Sequence, residues 1–194
     1  MRLKTKWANK NKERSLEELA GALGFSLWRV AAKSLLNLEN EDYQTDTQAQ
    51  RIDVMSEFSA FLVAFADRVV AEGFSDEERQ EFIVALALKL ADTVQENRED
   101  CEGRGEDYKT PFIDFLNQRM AEYAEHSFNG LEPGYGFKRH LGNSLVGVMG
   151  ERHEKYLPAQ VIEIELPEAL TTLKRAMSSL LGIEFDQSPD KSAD

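Results

Sequence analysis

From Ser15 onward the hydrophobic positions recur at three- and four-residue spacings, the period of amphipathic helices that share a core. Leu16, Leu19, Leu23, Leu27, Val30 and Leu35 form one such stripe and predict a first helix reaching about Leu38. Gly21 and Gly24 weaken it and offer a point where it can divide in two. The polar stretch 37–48 reads as a connection able to cap the next helix. That second helix, about Gln48 to Glu72, aligns Met55, Phe58, Leu62, Phe65 and Val69, with Val54, Phe61 and Val63 widening the stripe, and so belongs at the centre. Gly73 then suits a helix stop, while Ser75 and Glu78 make an S-x-x-E capping box for a third helix, about Asp76 to Asn97.

Residues 96–107 read as an acidic loop, after which Pro111 opens a fourth helix carrying Phe112, Phe115, Leu116, Met120 and Tyr123 and ending near Phe128. A turn over 130–136 leads to a fifth helix, Phe137 to Met149, in which Gly142 and Gly147 allow close backbone approach. Between Ile162 and Leu166 apolar residues alternate with Glu163 and Glu165, as in a half-buried strand. A lone strand has no partner, so helix is expected instead, from about Pro158, kinked at Pro167, through Leu170, Leu173, Met177 and Leu181 to Gly182. The expected fold is an all-α, single-domain bundle of about five to seven helices over residues 15–186, with a basic arm at 1–14 and a disordered tail at 187–194.

Composition supports a globular chain: 42% hydrophobic residues and eleven Phe against five Pro. The net charge of −12 is unevenly spread, because residues 1–14 carry six basic side chains and one acid, leaving 17 basic against 34 acidic elsewhere. Such a body repels nucleic acid and anionic lipid and favours a basic protein partner. The single cysteine, Cys101, excludes an intramolecular disulfide, and no apolar run follows the basic start as in a signal peptide. The apolar stretches 19–28 and 58–66 fall short of the roughly 20 residues of a membrane-spanning helix. A cytoplasmic location without membrane attachment is expected.

Two constellations bear on chemistry. Leu19-Ala20, Leu23-Gly24-Phe25 and Val30 resemble the start of a bacterial helix-turn-helix, in which the glycine makes the turn and a second helix from Ser26 enters the major groove. That resemblance implies Arg29, Lys33 and Ser34 as base-reading residues, although Lys33 stands where an apolar residue belongs. Glu77-Glu78-x-x-Glu81 with Glu96-x-x-Glu99 and Asp100 resembles the paired acidic motifs of all-α nucleoside triphosphate pyrophosphatases. It implies magnesium held by those carboxylates against substrate phosphates. The first three acids also suit the start of a capped helix, which needs no metal to explain them. His126, His140 and His153 show no metal-ligand spacing, although Glu122 and His126 lie four apart, and Cys101 lies among acids that raise a thiol pKa.

The sequence therefore points to a regulatory or protein-interaction module without catalytic activity, with the nucleotide hydrolase and the DNA-binding regulator as alternatives. The breadth of the apolar stripes in helices two and three predicts a homodimer, with Leu170, Leu173 and Met177 supplying its interface.

Overall fold

A computed structural model describes residues 14–185; the basic arm, apart from Arg14, and the tail 187–194 lie outside the described residues. The described part is an all-α bundle built on six helices of fifteen residues or more and a tiny two-stranded hairpin. Helix α1 (Leu16–Asn40) starts at a capping box, in which the Ser15 hydroxyl accepts the Glu18 N–H at 3.1 Å and the Glu18 carboxylate accepts the Ser15 N–H at 2.9 Å. It then continues through Gly21 and Gly24 without a break, so the expected division does not occur. Packing explains Gly24: a Cβ there would stand 3.0 Å from Lys89 Cγ and 3.4 Å from Leu86 Cδ1 on the third helix.

Helix α2 (Gln48–Val70) is buried along most of its length, with Phe58, Phe61, Leu62 and Phe65 fully covered. Helix α3 (Asp76–Glu102) begins at the Ser75/Glu78 capping box and runs five residues beyond Asn97, absorbing half of the stretch expected as a loop. The rest of that stretch is tied down: Gln95 binds Glu106 O and the Tyr108 N–H, and Asp107 accepts the N–H groups of Lys109 and Thr110, each at 3.0 Å. Asp107 thereby caps helix α4 (Lys109–Ala124), whose first turn holds Pro111.

Helices α1, α2 and α3 pack on one another as the central trio, α4 lies against α2 and α3, and the later elements close the other side. The hairpin pairs β1 (Phe128–Asn129) with β2 (Glu132–Pro133), Phe128 opposite Pro133. Helix α5 (Tyr135–Met149) packs on α2, and its Gly142 meets the short helix α6 (Leu157–Gln160), where a Cβ would approach Pro158 Cα to 2.9 Å.

The segment 161–165 is neither strand nor plain α-helix. Val161–Glu165 forms a π-helical turn, in which the Leu166 N–H reaches back five residues to Val161 O, before helix α7 (Leu166–Leu181) resumes. Pro167 supplies no N–H for the Glu163 carbonyl, and the wider turn carries the chain past that gap. Gly182, at φ 69°, ends α7 in the left-handed region, where glycine is unstrained. Helix α7 runs antiparallel to α1 and packs on it.

Part of the apolar surface expected to require a second copy is covered within one chain, while Val84 and Leu88 of α3 stay more than half exposed. Leu173 and Met177 are 0% exposed and Leu170 is 7% exposed, because α7 turns them into the common core. The interface assigned to these three residues is therefore corrected: they are core residues.

Candidate functional site

Because α1 and α3 run in the same direction beside α2, their C-terminal ends lie at one end of the bundle. There a groove of about 530 Å³ opens between α1, the start of α2 and the end of α3. Its apolar lining comes from Trp28, Ala32, Leu35 and Leu36 of α1 with Ile52 and Met55 of α2. Leu35 and Ile52 are buried, Trp28 and Met55 half-buried, and Leu36 is 51% exposed. Asn97, Asp100 and Cys101 of α3 form the opposite edge, and the Cys101 thiol is exposed.

The charge around this groove is negative for a structural reason and remains so. The last turn of α3 contains Glu99, Asp100 and Glu102 and no basic residue, although acids at a helix C-terminus oppose the macrodipole. Arg98, one turn earlier, is shared between Glu102 and Asp53. Among the described residues Glu99 accepts only the Gln95 amide, at 2.7 Å, while Glu96 and Asp100 are exposed. The last turn of α1 also lacks a basic residue, and Arg51, the groove's own cation, is paired with Glu39 at 3.0 Å. An apolar floor is thus bordered by the end of α3, where Glu99 and Asp100 have no ion-pair partner among the described residues.

The carboxylates assigned to magnesium are not brought together. Glu77, Glu78 and Glu81 stand at the start of α3 and Glu96, Glu99 and Asp100 near its end, with Glu81 and Glu96 about 22 Å apart along one helix axis. Glu78 is occupied by the capping box. Among the described residues no cluster of three or more His, Cys, Asp or Glu side chains is placed to hold a metal ion. Both acidic motifs of the pyrophosphatase resemblance thus lie on the same helix.

The helix-turn-helix reading is corrected by the unbroken α1: no turn occurs at Gly24, so no second helix is presented. Ser34 is buried at 4% exposure, and Lys33 is ion-paired with Glu168 of α7. Arg29, Lys33 and Ser34 do come together, but along a separate cleft between α1 and α7. The histidine that meets Glu122 is His140, with Nε2 to Oε2 at 3.0 Å, and not His126. Sequence reading passed over Trp28, Ala32 and Leu36. Their signal was available as the spacing Phe25, Trp28, Ala32, Leu36, a second apolar stripe on α1 facing away from Leu27 and Val30.

Comparison of the chain with protein-family models, curated proteins and solved structures finds no match. No helix among the described residues is long and apolar enough to cross a membrane.

Proposed function

We propose that this protein is a non-catalytic interaction module, regulatory in role, that docks a basic amphipathic helix of another protein in the groove between α1, α2 and α3. The observation that carries the reading is the coincidence of an apolar lining, with Leu36 half exposed, and an acid-rich α3 terminus lacking any basic residue in its last turn. Apolar anchors at i, i+3, i+4 and i+7 of a partner helix fill such a groove, and lysines on its flanks neutralise Asp100 and Glu96. The net charge of −12 adds long-range attraction for such a partner. A cytoplasmic setting belongs to the same proposal, since it keeps Cys101, exposed at the groove edge, reduced.

The test uses two synthetic 18-residue amphipathic helices with the same leucine face, one lysine-rich and one glutamate-rich. Titration calorimetry is expected to give saturable binding of the first alone, weakened at least tenfold by Leu36→Gln and by Asp100→Lys. Binding that survives Leu36→Gln unchanged refutes the groove, since bulk attraction between opposite charges ignores one leucine. Other occupants give distinct results. The chain's own residues 1–13, basic and containing Leu3 and Trp7, would show as gain of peptide affinity on their deletion. A second copy, the homodimer expected from the sequence, would show as a mass of twice 22.0 kDa by light scattering that Leu36→Gln halves.

A further inference from the structure

The cleft between α1 and α7, of about 270 Å³, is lined by two basic and two acidic side chains, of which only one pair is joined by an ion pair among the described residues. Lys33 and Glu168 pair with each other across the two helices. That leaves Glu165 on the α7 side and Arg29 on α1. Glu165 closes the π turn and is 2% exposed, yet its hydrogen bonds are two long ones from neutral amides: Asn37 Nδ2 to Oε2 at 3.2 Å and Gln160 Nε2 to Oε1 at 3.4 Å. No cation faces it. Burial holds its carboxyl above the ordinary glutamate value, the two amides oppose this, and the charges that act on it, Glu168 and Glu41, are both acidic. Arg29 is exposed and makes no ion pair among the described residues; its guanidinium carbon stands 5.7 Å over the Phe25 ring.

We propose that this cleft binds a small aminocarboxylate, its ammonium group on Glu165 at the floor and its carboxylate on Arg29 at the mouth. The geometry narrows the ligand. Asn37, which marks the Glu165 end, and Arg29 lie eight residues apart on α1, about 12 Å along the axis, so the ligand's two charges are separated by several bonds. A dibasic amino acid or an ω-amino acid has that separation, whereas glycine or alanine does not. Val30, Ala169 and Ala176 supply apolar walls suited to a methylene chain between the charges. The π turn is the device that creates the floor, since such turns recur where a side chain must be re-aimed from the regular helical register. This site shares α1 with the groove but uses none of its lining residues, so the two stand or fall separately.

The experiment is a titration of the full chain, followed by amide chemical shifts, with 6-aminohexanoate, lysine, hexylamine and hexanoate. Saturable shifts at Asn37 and in 161–169 are expected with 6-aminohexanoate and lysine at millimolar concentration or below. At least tenfold weaker binding is expected for hexylamine and for hexanoate, each of which lacks one charge. Glu165→Gln is expected to abolish the preference for 6-aminohexanoate over hexanoate, and Arg29→Gln the preference over hexylamine. No saturation with any aminocarboxylate overturns the proposal, as does hexylamine binding as tightly as 6-aminohexanoate. Should Glu165→Gln fail to fold, the four-ligand series on the unaltered chain still decides.

Discussion

At the scale of single residues, the most consequential side chain outside the two clefts is Glu57. It is 2% exposed on the central helix, and its carboxylate takes both Arg119 Nε at 2.8 Å and Nη2 at 2.6 Å. Arg119 also donates to Glu122 at 2.7 Å, and Glu122 meets His140, so one chain of contacts joins α2, α4 and α5. The consequences of cutting it are unequal. Arg119→Met leaves a buried carboxylate without a partner and should cost about 3–5 kcal/mol in urea unfolding. Glu57→Gln leaves Arg119 still paired with Glu122 and should cost clearly less; equal losses would show that the pair does not act as described. His140 adds a pH dependence with a definite sign. Burial lowers its pKa, against the opposing pull of Glu122, so the folded state binds fewer protons than the unfolded chain below about pH 6.5. Its contribution is present above the unfolded pKa and is lost as pH falls toward the lower folded value. The urea midpoint should therefore drop between pH 7.5 and 5.5 by more in the wild type than in His140→Gln. An identical drop in both would contradict it.

Individual helices show how far the sequence was readable. The Ser75/Glu78 capping box was legible because capping depends on residues three apart and on nothing distant. The stop at Gly182 was legible for the same reason. Gly24 misled because a glycine in a helix has two opposite meanings, a break or a close contact, and only the neighbouring Leu86 and Lys89, some sixty residues away in sequence, decide between them. The same ambiguity yields a paired prediction. Gly142→Ala forces a Cβ onto the Pro158 backbone at 2.9 Å and should destabilise by about 1–3 kcal/mol. Gly21→Ala meets nothing within 4 Å inside a regular helix and should stabilise by about 0.5–1 kcal/mol. Thermal melts of the two variants check both signs, and a loss at both positions would refute the distinction. The alternation at 162–166 was ambiguous because a π turn, like a strand, disturbs the 3.6-residue period; Ile164 is 58% exposed while Glu165 is buried. Leu170, Leu173 and Met177 were legible as an apolar face, but which surface that face meets is a tertiary fact.

Seen whole, the molecule consumes nearly all of its broad stripes in one core, and the large apolar side chains left outside are few, with Tyr135, Tyr156 and Ile164 lying away from the groove. Phe25 and Leu36 of α1 and Val84 and Leu88 of α3 stay more than half exposed on the two helices whose C-terminal ends border the groove. Binding there should fall steeply between 50 and 300 mM salt, since the acids involved are solvent-facing and screened within a Debye length. The groove itself was not legible as a unit in the sequence, because its lining is gathered from positions 28 to 101 on three helices. Its negative border was legible only as composition.

Trp28 lies in the groove, and Trp7 is the other tryptophan of the chain, so the Trp7→Phe protein carries a single emitter at the proposed docking site. The most direct test of the central claim is the emission of Trp28 during titration with the lysine-rich amphipathic helix. A saturable blue shift is predicted, absent with the glutamate-rich helix and lost in Leu36→Gln. Calorimetric binding of the lysine-rich helix with no change in Trp28 emission would contradict it.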